Sequence, residues 1–202
     1  MIGRLTGVLA LKQAPQILID VNGVGYEVDV PMSTFFNLPA LDQPVTLLTH
    51  FVVREDAQVL YGFGSSAERQ LFRLLLKVSG VGAKLALSVL SGMSVSGFIQ
   101  CVEQKDVGML CKIPGVGKKT AERLVVEMAD RVKLVGNSPS VAHSGQIDMA
   151  ATSPDNPQGE ADTALVALGY KPAEINRMLK GVDTSELSAE DIIRAALQGA
   201  LK

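Results

Sequence analysis

Two stretches of this chain carry one pattern at a spacing of 35 residues: Lys77-Val78-Ser79-Gly80-Val81-Gly82-Ala83-Lys84 and Lys112-Ile113-Pro114-Gly115-Val116-Gly117-Lys118-Lys119. In that register Leu75 also matches Leu110 and Ala86 matches Ala121, and helical spacing of apolar residues flanks both copies. The duplication predicts two helix–turn–helix units with pseudo-twofold symmetry. In each copy, two glycines around one apolar residue predict a turn that needs positive φ and keeps side chains out of the way. The turn leads into a helix N-terminus, where unpaired N–H groups and the positive end of the macrodipole attract an anion. Lys84, Lys118 and Lys119 add full charges. A phosphodiester fits such a site, and two copies suit a ligand that itself repeats.

One glycine turn alone would read as a structural helix–helix corner, so it is the second copy that favours an anion site. Nucleotide-binding loops fail on detail. A Walker pattern would need a glycine at 112 and Ser or Thr at 119, where the chain has Lys112 and Lys119. Gly62-Phe63-Gly64-Ser65-Ser66-Ala67 satisfies GxGxxA, but no acidic residue stands about twenty positions on and no βαβ unit surrounds it. It reads as a turn between domains.

The formal net charge is −2, which by itself argues against nucleic acid. The distribution argues the other way. Residues 1–64 hold three basic and six acidic side chains, 65–134 hold eleven and six, and 135–202 hold five and nine. The cationic excess falls on the segment with the repeated turns, so contact with a polyanion is confined to that part.

Strand-like alternation covers Leu5–Leu11, Gln16–Val21, Gly25–Val30, Val45–Val53 and Gln58–Phe63, with Asn22-Gly23 as a hairpin signal and Pro31 and Pro39 as punctuation. Five or six short strands fit a small barrel, and the OB-fold is the commonest barrel that works beside nucleic acid. From Ala67 the apolar period changes from two to 3.6, giving helices after it near 83–90, 94–103, 107–111 and 118–132. Residues 135–159, rich in Gly, Ser, Pro and Asn, read as a flexible linker. Three short helices follow near 161–168, 173–179 and 189–201, the last with Ser188 as N-cap and Asp191 in a capping-box position. The expected class is therefore α+β multidomain, divided as 1–64, 65–134, 135–159 and 160–202.

Glu55 and Asp56 fall at the expected tip of a hairpin. A solvated turn is the default reading, and metal-dependent cleavage would need further ligands where nearby strands offer only Asp42 and His50. Their sign opposes phosphate. Two charges about 6 Å apart at an effective dielectric near 20 interact by roughly 3 kcal/mol, enough to push backbone away from a chosen point. Cys101 and Cys111 lie in apolar helical settings and read as buried thiols of a reducing compartment. No apolar run reaches membrane-spanning length, and the start lacks the features of a signal peptide, so a cytoplasmic location is expected. In the last segment, Leu165, Leu168, Tyr170 and Leu197 divide between a small core and an apolar partner surface.

The start Met1-Ile2-Gly3-Arg4-Leu5, the stretch Phe51-Val52-Val53-Arg54-Glu55-Asp56-Ala57-Gln58, the paired glycine hairpins, Thr120-Ala121-Glu122-Arg123-Leu124 and Leu165-Val166-Ala167-Leu168-Gly169-Tyr170-Lys171-Pro172 occur in one order. In this combination the chain resembles the RuvA family, the Holliday-junction-binding subunits of bacterial branch-migration complexes, over its whole length. The resemblance implies an N-terminal OB-fold, a tandem helix–hairpin–helix domain, a mobile linker and a C-terminal three-helix domain that contacts the hexameric ATPase RuvB. It also implies a fourfold tetramer, one or two of which hold an open, square-planar four-way junction, with the RuvC resolvase as a further candidate partner. Gly80, Gly82, Lys84, Gly115, Gly117, Lys118, Lys119 and Arg123 fall on the family's phosphate-contacting positions. Glu55 and Asp56 become an acidic pin at the centre. Leu165, Leu168, Tyr170 and Leu197 become candidates for the RuvB contact. No cofactor or catalytic site is implied: ATP belongs to RuvB, and Mg²⁺ bears on junction geometry. Ala83 stands where the second copy has Lys118, and Ser79 where it has Pro114, which predicts a stronger second grip.

Overall fold

The N-terminal strands place alternate side chains inward and close on themselves. A computed structural model describes residues 1–132, 157–167, 170, 172–179 and 187–200. Strands β1 (Arg4–Gln13), β2 (Gln16–Val21), β3 (Val24–Asp29), β4 (Pro44–Val53) and β5 (Gln58–Phe63) form a closed barrel in the order β1-β2-β3-β5-β4. Only β3 and β5 pair in parallel. β1 serves two partners, β4 with its first half and β2 with its second, and a bulge between Leu9 and Leu11 makes the turn. Gly7 stands at the crossing, where a Cβ would lie 2.1 Å from the Asp20 carbonyl oxygen. Leu5, Leu9, Ile17, Ile19, Val28, Val45, Leu47 and Leu60 fill the interior. This is the OB-type barrel the alternation predicts.

The crossing between Pro31 and Pro39 holds a short helix, α1 (Met32–Phe36), where the sequence suggests only punctuation. Pro31 takes the N-cap position with φ −68°, a value its ring favours. Helix α1 fastens the barrel to the helices. Ser33 Oγ and Thr34 Oγ1 both donate to the Glu68 carboxylate, the second at 3.1 Å. Ser65 caps α2 (Ser66–Leu75) by accepting from the Glu68 N–H at 3.2 Å.

Helices α3 (Ala83–Gly92), α4 (Val95–Glu103), α5 (Val107–Leu110) and α6 (Lys118–Met128) complete the helical part. Their core, with Leu71, Leu75, Val89, Leu90, Phe98, Leu110, Leu124 and Met128, runs on into the outer face of β5 through Tyr61 and Phe63. The Phe72 ring stands 4.9 Å from Phe63, 5.0 Å from Tyr61 and 5.6 Å from His50. Barrel and helices therefore share one continuous apolar seam. Cys101 is buried as expected, but Cys111 is exposed. It occupies the C-cap of the one-turn helix α5, where Leu110 takes the inward position.

The chain divides into two compact units, Met1–His143 and Ser144–Lys202. The second holds α7 (Pro157–Ala167), α8 (Pro172–Leu179) and α9 (Ala189–Ala200) around Leu165, Ile175 and Ala196. Helix α7 starts at Pro157, three residues inside the expected linker, because proline suits a first helical turn. The remainder of that expected linker, residues 135–156, lies outside the described residues. At α9, Asp191 N–H donates to Ser188 Oγ at 3.2 Å and Ser188 Oγ donates to the Asp191 carboxylate at 2.7 Å. Among the described residues no single helix is long and apolar enough to cross a membrane.

Candidate nucleic-acid interface

The two glycine turns fold alike, bond for bond. After α2, Lys77 N–H donates to Leu74 O at 3.1 Å, Val78 N–H to Leu75 O at 3.0 Å and Val81 N–H to Val78 O at 3.1 Å. After α5, Lys112, Ile113 and Val116 repeat these bonds to Met109, Leu110 and Ile113 at 3.1, 3.1 and 3.0 Å. Val78 and Val81 anchor the first turn in the core, as Ile113 and Val116 anchor the second. The apolar residues hold each turn down while its glycines and lysines face outward: Gly80, Gly82, Lys84, Gly115, Gly117, Lys118 and Lys119 are all exposed.

Only the first glycine of each pair needs its conformational freedom. Gly80 has φ +81° and Gly115 +88°, the left-handed region that L side chains avoid. Gly82 and Gly117 are instead extended N-caps at φ −90° and −84°. A Cβ at either would meet nothing within 4 Å. The fold would accept a side chain there, and that side chain would stand in front of the helix. Neither α3 nor α6 has a side-chain N-cap bond, so the first-turn amides of both helices keep their donors for a ligand.

Arg123 is placed unexpectedly. It belongs to α6, behind the second turn, yet its guanidinium Nη1 donates to the Ser79 carbonyl at 2.9 Å in the first turn. A Cβ on Gly80 would come within 3.3 Å of that nitrogen, and one on Gly115 within 3.2 Å of Leu85 Cδ1 from α3. Each turn is thus backed by the helix of the other copy. The first turn, which lacks a counterpart of Lys118, receives the Arg123 guanidinium from α6 as a cation of its own. No sequence signal shows this exchange. No sequence signal marks Asp29 on β3 either. Burial, with help from Glu27, raises its pKa, while the Gln16 hydrogen bond and Lys84 oppose the rise. A carboxylate therefore lies within the field of the first grip.

Glu55 and Asp56 sit where the sequence puts them, exposed at the centre of the β4–β5 turn, which Arg54 N–H closes on Ala57 O at 2.8 Å. Among the described residues no three His, Cys, Asp or Glu side chains gather as a metal site would require. In the C-terminal unit, Leu165 is fully buried and belongs to the core, not to an exposed partner surface. Tyr170 and Leu197 are half-buried against that core, and Leu168 lies outside the described residues. Val166, 51% exposed, is the apolar side chain that the sequence reading passed over.

Three family models match the chain in order: RuvA N terminal domain over residues 1–62, SAM-like Helix-hairpin-helix tandem over 72–130 and RuvA, C-terminal domain over 156–201. A relative from Pectobacterium atrosepticum, described as Holliday junction branch migration complex subunit RuvA, is 54% identical over the full length of both chains. The chain belongs to the RuvA family. A relative of the same description from Pseudomonas paraeruginosa is 52% identical over 98% of this chain and 99% of its own, and one from Shewanella frigidimarina is 51% identical over the full length of both. The RuvA family models thus cover the barrel and the three-helix unit, and the tandem model covers both glycine turns.

Proposed function

We propose that this chain is the junction-binding subunit of a branch-migration complex. It works as a homotetramer, one or two of which hold a four-way DNA junction open and square-planar, and it recruits the RuvB ATPase. The observation that carries this reading is the pair of matching turns, each presenting open helix amides and two cations. Grips of this kind bind phosphates and position a duplex without reading bases, so selectivity comes from the shape of the DNA. Full membership of a family whose relatives are described as Holliday junction branch migration complex subunits supports the four-way junction as that shape. Glu55 and Asp56 serve as a pin that repels backbone at the crossover while the grips hold the arms.

In this arrangement the chain is the clamp and RuvB the motor, with ATP hydrolysed by RuvB. RuvC is a further candidate partner, Mg²⁺ acts on the junction rather than as a resident cofactor, and the setting is cytoplasmic. The C-terminal unit takes the RuvB contact, with Tyr170, Leu197 and Val166 as its accessible apolar candidates. Adding the purified chain to RuvB, ATP and a synthetic four-way junction should accelerate strand exchange well beyond RuvB alone. No acceleration, with junction binding intact, would remove the recruiting role.

A further inference from the structure

The two ends of the barrel are finished differently. At one end α1 lies between β3 and β4, with Leu38 buried and Phe35 packed on the barrel interior. The other end carries the acidic pin. Because β3 runs parallel to β5 and β4 antiparallel to it, the start of β3, the start of β5 and the last residue of β4 all lie there. The N-terminus joins them, since Thr49 N–H donates to Gly3 O at 3.0 Å and Thr49 Oγ1 to Ile2 O at 2.8 Å.

Apolar side chains line this open end. Ile2, Val21, Tyr26 and Phe51 pack against the barrel interior and stay only partly buried. Val24 pairs with Val21, and Val53 stands two residues beyond Phe51, so both continue the inward-facing rows of their strands. They are nevertheless 54% and 61% exposed. The mouth of the barrel is therefore an apolar surface with an aromatic ring in it. Glu55 and Asp56 follow Val53 on the same hairpin, with exposed Arg54 in between.

An occupant of this mouth has to offer an apolar face while keeping negative charge away from the pin. A nucleobase does so. Its faces stack on aromatic rings and guanidinium planes, and its polar edge has Gln58 for a partner, set across the hairpin from Val53. A phosphodiester does not, because two carboxylates repel it. A base inside a duplex has its faces covered by its neighbours, so only one released from its stack can enter. We propose that the pin-end mouth, through Val24, Tyr26 and Val53, is a platform for unpaired bases at the crossover of a four-way junction. The pin turns the backbone away and the mouth takes the base of the same strand, so a strand passing between arms is oriented by both. The inference rests on the junction reading above and names where its separated bases rest.

The test binds the full chain to a synthetic four-way junction carrying 5-iodouracil at the crossover, with photo-cross-links mapped by mass spectrometry. The crossover label should join to Tyr26 or Phe51, and the same label placed well inside an arm should not. V24S/V53S alters only exposed side chains and should keep the fold, judged by circular dichroism. It should weaken junction binding by about fivefold, the lower end of what base stacking contributes, leave linear duplex binding unchanged and slow strand exchange driven by RuvB. Cross-links that are absent, confined to the glycine turns or equal from the arm label would overturn the platform. So would a V24S/V53S variant that binds the junction as wild type does, or one that loses junction and duplex affinity equally. A particle mass changed by V24S/V53S in light scattering would make the mouth a contact between copies, and a lost response to RuvB at full junction affinity would make it a protein contact; either result ends the proposal. A wild type that binds junction and duplex alike would remove the crossover itself, and the platform with it, a failure of the junction reading distinct from a misplaced base.

Discussion

The glycines of each hairpin separate two roles that look alike in the sequence. Gly80 and Gly115 hold positive φ, so Gly80→Ala should cost about 1 kcal/mol of stability from left-handed strain alone. Gly82 and Gly117 are extended with open space around them. A serine at either is a better N-cap than glycine and should stabilise the chain by a few tenths of a kcal/mol, while occupying the amides meant for phosphate. We therefore expect G82S and G117S to melt no lower than wild type and yet bind a four-way junction roughly tenfold more weakly, the loss of one charge-assisted hydrogen bond. Thermal melts beside binding isotherms check both halves, and unchanged affinity would return these glycines to a purely structural role. Asp29 adds a pH dependence. Burial raises its folded pKa from the ordinary aspartate value, so its charged form is a burden at neutral pH that lifts as pH falls through the folded pKa. Asp29→Asn should raise the melting temperature at pH 7, with the gain shrinking toward acid, and tighten DNA binding by freeing Lys84 of an opposing charge. A constant gain across pH would mean that ionisation is not the cause.

At the level of elements, the β4–β5 turn and the paired hairpins are two tools on one rigid frame, since the Phe72 seam and the Glu68 bonds to Ser33 and Thr34 tie α2 to the barrel. The pin can thus be neutralised without loosening the grips. E55Q/D56N should keep the fold, tighten binding to plain duplex and disturb branch migration, as read by duplex gel shifts and strand-exchange rates. A variant equal to wild type in both would make these carboxylates an ordinary solvated turn. The strands are legible in the sequence because short runs rich in β-branched and apolar residues are bounded by turn signals such as Asn22-Gly23, and the hairpins because their pattern occurs twice. Helix α1 is not legible, since a one-turn helix between prolines has no period to read. The Arg123–Ser79 contact, across 44 residues, and the field of Lys84 on Asp29 depend on how elements pack, which no local pattern encodes. The fate of Leu165 and Val166 likewise turns on which face of α7 the small core claims.

For the whole molecule, a basic helical segment lies between acidic ones, and the grips, the pin and the three-helix unit occupy separate stretches of chain. Ending the chain after residue 156 should spare junction binding and abolish stimulation by RuvB in strand-exchange assays; lost DNA binding would show that the C-terminal unit shares the DNA contact. Duplicated phosphate grips without base reading require affinity to follow DNA shape and salt together. The most direct measurement is a competition gel shift at two salt concentrations, with a synthetic four-way junction against linear duplex of the same arm sequence. The junction should win strongly at both, with affinity falling steeply as salt rises and the slope lessened by about one unit for each of Lys118→Ala and Lys119→Ala. Equal affinity for junction and duplex would contradict shape-selective clamping and leave a general duplex-binding protein.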